Sequence, residues 1–424
     1  MTCSSRVDIH ETDSLVAANP TAATPPRTVL LVHNRYRAGT PAGEDNAVDQ
    51  EAAMLERSGI RVVRYERSND EVAEGNPLAV LQAAATMSYS RRTVAELARL
   101  IDQTSPDVAH FHNTFPLITT SGYYACREAG VPVVQTLHNY RLLCARSTMY
   151  RDGRPCHLCT PRSFLPAVRH RCYRSTAGSS AVAWMLFSNW RRKVYTELVD
   201  QYIALTRFAA RTFIGAGLKA ESVSVKPNFV PAPGAPGDGG GGYVAFAGRL
   251  VEEKGVHTLL TAWRQVGNVR LKIIGSGPLE GALRQRAAEE RLNVEFTGML
   301  PRDQVGEQVA RALFLVVPSE WYEGFPLTIV EAYGRGTPVL AARIGGLAEL
   351  VRPGETGELF EPGEPDSLAG KALELLAHAE LRGAMRRACR GWFDAEFTEE
   401  RNVEALLAVY AKAAQALRAK ARTA

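Results

Sequence analysis

The chain has 424 residues, of which 46% are hydrophobic and 22% charged, and its formal net charge is +5. This length is enough for two or three domains with large cores, and the mixed 50 basic and 45 acidic residues argue against a nucleic-acid-binding surface. No apolar run reaches the about 18 residues of a membrane span, and residues 1–27 lack the apolar core of a secretory signal. We therefore expect a disordered tail at 1–27 and a cytoplasmic protein, which an odd number of cysteines also favours.

Short apolar runs alternate with amphipathic patterns in the first half of the chain. Runs rich in Val, Ile and Leu on both faces are typical of buried parallel strands, and they occur at 28–33, 62–65, 107–112, 132–138 and 201–206. Helical patterns lie between them, for example at 45–59 and 90–103. This order predicts a doubly wound α/β domain over residues 28–228.

A Pro/Gly-rich segment at 229–242 predicts a linker. Alternation resumes after it, with strands predicted at 243–248, 269–275, 293–298 and 313–318 and helices starting near 255, 279 and 301. We therefore expect a second α/β domain over 243–397 and a final helix at 398–424 that returns toward the first domain. Two such domains direct their strand ends toward a shared cleft, which is the expected ligand site.

Charged residues and glycines follow three strands of the second half, where each strand ends. The segment G-R-L-V-E-E-K-G supplies Arg249 and Lys254, which suit a diphosphate, and G-S-G-P at 275–278 is a tight turn rather than a dinucleotide fingerprint. The segment E-G-F-P-L-T-I-V-E places Glu323 and Glu331 around a predicted helix start, where free N–H groups attract anions. Each motif alone is common among ordinary helices and solvated surfaces, but their convergence predicts a nucleotide-diphospho-sugar pocket.

Together these motifs resemble the retaining family-4 glycosyltransferases, or glycosyl transferases group 1. Their fold is GT-B, an α/β architecture with two Rossmann-like doubly wound domains facing a cleft. The resemblance is strong between residues 246 and 362 and weaker between 29 and 229. It is carried by F-A-G-R-L-V-E-E-K-G, I-I-G-S-G-P, F-T-G, E-G-F-P-L-T-I-V-E-A-Y-G-R-G-T-P-V and G-G-L-A-E-L-V.

The resemblance implies roles for residues of the second half. Arg249 and Lys254 would bind the donor diphosphate and stabilise the leaving nucleotide. Glu323 would contact hydroxyls of the transferred sugar, and Glu331 would hold the ribose hydroxyls. The rest of the donor cradle would be formed by Gly248, Gly324, Phe325, Pro326, Leu327 and Thr328.

The resemblance also implies roles in the first half. A-G-E-D at 42–45 resembles the family's Gly-rich loop and would bring Gly43 to the donor phosphates, although Ala42 replaces the usual first glycine. His138 in T-L-H-N-Y matches a histidine near the transferred sugar. Three residues on comparable strand-end loops are candidates for the acceptor side: His112, Asn113 and Asn139.

Four cysteines occupy a short segment with the spacing C-x11-C-x2-C-x12-C: Cys144, Cys156, Cys159 and Cys172. Four thiolates can hold a structural zinc ion, whereas the single outer cysteines leave free, packed thiols as the alternative. We expect catalysis to need no metal, because Arg249 and Lys254 supply positive charge and no suitable Asp-x-Asp motif is found.

An apolar, aromatic and basic stretch at 181–193 is open to two interpretations. It is typical of the core face of a helix with a solvated basic end, and it also fits peripheral contact with a membrane or a lipid-linked acceptor. The core interpretation is favoured.

The sequence thus predicts a retaining glycosyltransferase that moves a sugar from a UDP-sugar to a hydroxyl acceptor, with N-acetylglucosamine as the first choice of sugar. The acceptor is either a small natural product such as a cyclitol, as in antibiotic biosynthesis, or a cell-envelope glycan, as in polysaccharide biosynthesis. A nucleotide-sugar epimerase or hydrolase of the same fold is one alternative, and a non-catalytic sugar-nucleotide-binding protein is another. The oligomeric state is not predicted.

Overall fold

The computed structural model describes residues 24–39, 43–72, 86–231 and 233–423. Most of the predicted tail, residues 1–23, lies outside the described residues, as does Ala42 of the Gly-rich loop.

Six parallel strands form the first sheet, in the order β2-β1-β3-β4-β7-β8. Strands β1, β3, β4 and β7 are almost completely buried, because helices cover both faces of the sheet. The strands are β1 (Thr28–Arg35), β2 (Arg61–Ser68), β3 (Val108–Phe111), β4 (Val133–Leu137), β7 (Gln201–Ala204) and β8 (Val223–Val225). The helices are α1 (Gly43–Arg57), α2 (Arg91–Thr104), α3 (Ser121–Glu128), α4 (Leu165–Arg169), α5 (Thr176–Arg191), α6 (Val194–Glu197) and α7 (Arg207–Gly215).

The second sheet has six parallel strands in the order β11-β10-β9-β12-β13-β14. Its strands are β9 (Tyr243–Ala247), β10 (Arg270–Ile274), β11 (Val294–Gly298), β12 (Leu315–Val317), β13 (Val339–Ala342) and β14 (Gly357–Phe360). Its helices are α8 (Val256–Val266), α9 (Glu280–Glu289), α10 (Arg302–Arg311), α11 (Leu327–Gly334), α12 (Leu347–Leu350), α13 (Pro365–Ala377) and α14 (Ala379–Glu396). The predicted α/β architecture of two doubly wound domains is confirmed.

Strand order reverses direction once in each sheet, between β1 and β3 and between β9 and β12. Loops on either side of such a switch point turn in opposite directions and leave a crevice at the carboxyl ends of the strands. The loops after β9 and β12 carry Arg249, Lys254 and Glu323, so topology alone directs these side chains to one crevice.

The last helix, α15 (Glu399–Thr423), leaves the second domain and packs on the first sheet. Leu406, Tyr410 and Ala413 join a cluster with Val29 and Val134 in which these residues are at most 3% exposed. Each large apolar side chain in such a cluster stabilises the fold by about 1.5–3 kcal/mol, so α15 is an integral part of the first domain.

Helix α5 contains the apolar stretch that had two interpretations. Val182, Ala183, Met185 and Leu186 are buried, whereas Trp184 is 65% exposed. The contacts therefore favour the core interpretation for most of this stretch. Within the described residues, no helix is both long enough and apolar enough to span a bilayer.

The cysteine-containing segment leaves the first domain after β4. Its regular structure consists of a hairpin of β5 (Tyr150–Arg151) and β6 (Arg154–Pro155), followed by α4. The segment therefore depends on contacts other than a sheet or a long helix for its order.

Candidate active site

Two glycines allow the donor-side loops of the second domain to approach one another. Gly255 has a φ of 67°, and a Cβ atom there would lie 1.9 Å from the carbonyl oxygen of Pro318. Gly275 has a φ of 133°, and its Cβ would lie 2.0 Å from the carbonyl oxygen of Gly248. Only glycine combines such dihedrals with such close approach, so these residues bring the loops after β9, β10 and β12 together.

Lys254 and Glu323 form an ion pair at this point. Lys254 Nζ lies 2.6 Å from Glu323 Oε1, and the Ser319 hydroxyl donates a hydrogen bond to the same oxygen at 2.6 Å. Glu323 is only 5% exposed, and its second oxygen has no hydrogen-bond partner among the described residues. The carboxylate is thus held in place by one oxygen, and the other remains available to a hydroxyl donor.

Arg249 directly follows Gly248 at the end of β9, and its side chain is exposed. Its guanidinium forms no ion pair or hydrogen bond with any described residue. A guanidinium without a protein partner at a switch point is suited to bind an anionic group of a ligand.

The loop formed by Gly324, Phe325 and Pro326 leads into α11, whose first residues are Leu327 and Thr328. No side chain caps this helix, so N–H groups of its first turn are free to bind an anion.

Glu331 lies one turn into α11 and pairs with Arg302 at the start of α10. Its Oε1 accepts hydrogen bonds from Arg302 Nη2 at 2.7 Å and Nε at 2.9 Å. Glu331, Arg302 and Thr328 line a cavity with Ala247 at the end of β9 and Val230 of the linker. Arg302 was not anticipated from the sequence, because an arginine after a proline carries no distinctive signal.

The candidate residues of the first domain line a second cavity. His112, Asn113, His138 and Asn139 all contribute to its wall. The Asn113 amide is already occupied, since it donates to the carbonyl of Asn34 at 2.8 Å and accepts from the N–H of Phe115 at 3.0 Å. Asn113 therefore holds two loops together rather than presenting a free amide. Gly43 begins α1 and is exposed, and no described atom lies within 4 Å of the position that a Cβ would take.

His112 lies within hydrogen-bonding distance of His138. His112 Nδ1 and His138 Nε2 are 2.8 Å apart, and the other nitrogen of His112 lies 3.3 Å from Glu51 Oε1. Burial, reinforced by the neighbouring histidines, lowers the pKa of His112 to about 3 and that of His138 well below its ordinary value. These shifts favour the neutral form of both rings, in which His138 can form hydrogen bonds without adding charge.

Glu51 on α1 is the centre of a buried polar network that the sequence did not reveal. Its carboxylate lies 3.2 Å from Lys226 Nζ and 3.0 Å from His110 Nδ1. Burial alone would raise the pKa of Glu51, but Lys226 and His110 hold it well below its usual range. Within the part of the chain that the structure describes, Glu51, His110 and His112 are the one group of three whose ligand atoms lie within 4.8 Å of one another. Because the Lys226 ammonium already neutralises Glu51, we interpret the group as a charge network rather than a cation site.

Glu44 and Arg141 line the same cavity as His138 and were also not anticipated. The Glu44 carboxylate accepts a hydrogen bond from the Tyr36 hydroxyl at 3.0 Å, and burial raises the pKa of Glu44. In the sequence, the only indication of a role for Glu44 is its position. It directly follows Gly43 and lies seven residues before Glu51, on the same face of α1.

The two domains touch at the loop of His138, which lines the first-domain cavity. A Cβ on Gly324 would lie 2.0 Å from the His138 carbonyl oxygen, so the donor loop touches the first domain. The preceding Tyr322 packs among Tyr140, Phe208 and His157. The structure therefore brings Lys254, Glu323 and His138 to one region between the domains.

The four clustered cysteines are free thiols, and all of them line one cavity together with His170. No three of their sulfur atoms lie within 4.8 Å of one another. The donor set has the chemistry of a zinc site, but its atoms are more widely spaced than bound ligands.

Each half of the chain matches the model of a known family. Residues 43–232 match the family model described as Glycosyltransferase Family 4, and residues 236–392 match that described as Glycosyl transferases group 1.

Curated relatives align with part of the chain. An uncharacterised glycosyltransferase of Methanocaldococcus jannaschii is 34% identical over 166 residues, which are 39% of this chain and 46% of the relative. A GDP-mannose-dependent monoacylated alpha-(1-6)-phosphatidylinositol monomannoside mannosyltransferase of Corynebacterium glutamicum is 34% identical over 167 residues, 37% of this chain and 44% of the relative. A 2-deoxystreptamine N-acetyl-D-glucosaminyltransferase of Niallia circulans is 27% identical over 149 residues, 34% of this chain and 38% of the relative. The matched stretches span less than half the length of each of these relatives.

Solved structures match over nearly the whole chain. Anabaena HepE in complex with UDP has a TM-score of 0.63 at 20% identity, covering 89% of this chain and 98% of that chain. Sucrose-phosphate synthase from Thermosynechococcus elongatus has a TM-score of 0.65 at 18% identity, covering 94% of this chain and 100% of that chain. The architecture described above is therefore the GT-B fold.

Proposed function

We propose that this chain, a glycosyltransferase of the GT-B type, moves a sugar from a nucleotide-diphosphate donor to a hydroxyl acceptor with retention of the anomeric configuration. The observation that carries the proposal is the Lys254–Glu323 ion pair, 2.6 Å long. It lies at a switch point, against the loop of His138, and Lys254 shares the loop after β9 with Arg249. The two cations, one fixed and one free, suit a departing diphosphate. The fixed carboxylate suits a sugar that presents hydroxyl groups.

Charge development explains how these groups would act. Cleavage of the anomeric bond places negative charge on the departing diphosphate and positive charge on the sugar ring. Arg249 and Lys254 would stabilise the diphosphate, each by about 3 kcal/mol if they act like preorganised donors in other enzymes. Glu323 would accept hydroxyl hydrogen bonds through its free oxygen, and the first turn of α11 would face the phosphates.

The first domain would position the sugar and the acceptor. His138 is held by His112, and burial lowers its pKa, so in its neutral form it would donate to or accept from a sugar hydroxyl without adding charge. Glu44 lies beside it, and its raised pKa suits a group that orients an acceptor hydroxyl. Catalysis needs no metal ion in this scheme, because the positive charge comes from side chains.

We propose UDP as the nucleotide and N-acetylglucosamine as the first sugar to test. The support is the UDP bound in the Anabaena HepE structure and the N-acetylglucosaminyltransferase among the relatives. The mannosyltransferase relative depends on GDP-mannose, so GDP-sugars belong in the same test. We infer an acceptor that is either a small aminocyclitol or a cell-envelope glycan, and an enzyme that works in the cytoplasm, where nucleotide sugars are made.

The test is a screen of nucleotide sugars against acceptors, with products identified by mass spectrometry. We expect a glycoside whose mass exceeds that of the acceptor by one sugar residue, formed together with free nucleoside diphosphate. Each donor is also incubated without acceptor. Consumption of donor with no glycoside in any combination would replace the proposal with a hydrolase or epimerase, and binding without consumption would indicate a sugar-nucleotide-binding protein.

A further inference from the structure

We propose that Cys144, Cys156, Cys159 and Cys172 bind one zinc ion as four thiolates, and that the metal fixes His157 against Tyr322 at the edge of the donor site. The first half of this proposal is independent of the proposed function, and the second half rests on it.

The segment that carries the four cysteines has little regular secondary structure, and its buried residues Ala145, Phe164 and Ala167 pack against α5. Between residues 144 and 172 it has two strands of two residues each and a helix of five residues. Segments this short and loop-rich are usually held by disulfides or a metal. Here all four thiols are free and line one cavity, so a single ion at that point would tie together the hairpin, the turn after Cys159 and the end of α4.

The local backbone suits a pair of ligands two residues apart. The hairpin of β5 and β6 ends at Pro155, and the N–H of Cys156 donates to the carbonyl of Met149 at 2.7 Å. A tight turn then forms between Thr160 and Ser163, which bond to each other through both backbone groups. A C-x2-C pair held between a hairpin and a turn is the arrangement that zinc ribbons and knuckles use.

The surrounding charges suit four thiolates. A zinc ion with four thiolate ligands carries a formal charge of about −2. Arg146 and Arg151 line the same cavity as the four cysteines. The buried Nε of Arg151 has no hydrogen-bond partner in the described residues. Such orphaned buried donors are uncommon, and a ligating thiolate would supply the missing acceptor.

Metal binding would draw the sulfur atoms together. Zn–S bonds of about 2.3 Å in a tetrahedron place sulfur atoms about 3.8 Å apart, whereas no three of these sulfurs lie within 4.8 Å of one another. The proposal therefore requires the cysteine side chains to change rotamer when the metal binds.

The metal would also bear on the donor loop. His157 lies between the two central cysteines, and its Nε2 is 3.0 Å from the Tyr322 hydroxyl. Tyr322 directly precedes Glu323, the carboxylate paired with Lys254. A metal that orders residues 156–159 would thereby order one wall of the donor site.

The first experiment measures metal in the full chain, purified without a tag or chelator. We expect one zinc per chain by inductively coupled plasma mass spectrometry, and its release on titration of the thiols with a mercurial. Replacement of zinc by cobalt(II) should give the visible absorption of a tetrahedral thiolate complex. The double variant Cys156→Ser/Cys159→Ser should lose the zinc, and Cys126→Ala, which changes a cysteine outside the segment, should keep it.

The proposal is overturned if the wild-type chain holds no zinc after incubation with zinc salt, or if its intact mass shows disulfides among these cysteines. Neither the zinc measurement nor the intact mass depends on activity or on the folding of a variant. The link to the donor loop is tested separately with His157→Phe. This variant should keep its zinc and raise the KM for the donor roughly fivefold, the value of one hydrogen bond. Wild-type kinetics in a zinc-containing His157→Phe protein would remove the link to the donor loop. Absence of glycosyl transfer in the wild-type chain would instead count against the proposed function.

Discussion

Substitution of Gly324 by alanine should disturb the contact between the two domains while leaving the fold intact. A Cβ at this position would lie 2.0 Å from the His138 carbonyl oxygen, whereas ordinary contacts begin near 3.4 Å. The donor loop and the loop of His138 must therefore move apart by more than 1 Å. Displacements of about 1 Å between catalytic groups and substrate cost about 100-fold in rate, equivalent to about 2.7 kcal/mol, so we expect kcat/KM to fall by about that factor.

The fold itself should tolerate this change. Gly324 does not have a positive φ, and the obstruction lies across the cleft rather than within the second domain. We therefore expect an unchanged thermal unfolding midpoint and retained binding of the free nucleoside diphosphate by calorimetry. The matched control is Gly281→Ala on α9. Outside the helix's own backbone, no atom of the described residues lies within 4 Å of the added Cβ, and kinetics should stay at the wild-type level. Wild-type turnover in Gly324→Ala would refute the idea that the reaction requires this contact.

Three further predictions concern buried and catalytic charges. Lys254→Ala should lower kcat by about 100- to 1,000-fold, the usual cost of one electrostatic donor. The assay is release of nucleoside diphosphate, with Lys371→Ala on the surface of α13 as control, and near-normal turnover would remove Lys254 from the mechanism. Glu51→Gln should lower the free energy of unfolding by about 3–5 kcal/mol, because it leaves the Lys226 ammonium buried without its counter-charge. Urea denaturation measures this, and an unchanged midpoint and slope would contradict it. Stability should also fall as the pH drops below 6.5, because the pKa of buried His112 is about 3 in the folded state and the unfolded chain takes up the extra proton. A thermal midpoint that is constant between about pH 7 and pH 5 would contradict this sign.

The central strands could be predicted because they are buried on both faces and therefore read as continuous apolar runs. The edge strand β2 was predicted as 62–65 but extends over Arg61–Ser68, since its half-exposed residues are polar. Strands β13 and β14 were not predicted, because four-residue runs carry little periodic signal.

The meeting of Lys254 and Glu323 could be predicted because both residues lie next to strand ends, and topology fixes where strand ends meet. The buried and neighbouring residues that hold the site in place could not be predicted from the sequence. Glu51 and Lys226 are 175 residues apart in the chain, and nothing in either local sequence indicates that they share a buried pair. Arg302 and Tyr322 likewise acquire meaning only through partners that the fold supplies.

The return of the chain from the second domain to the first limits how the lobes can move. The chain passes between the domains at 229–242 and again near 397–399, and the two passages touch, since the N–H of Val230 bonds to the carbonyl of Phe397 at 3.4 Å. Two adjacent connections between the lobes restrict twisting more than a single connection would. We therefore expect the cleft to open by rotation about these connections, with substrates entering from the opposite side.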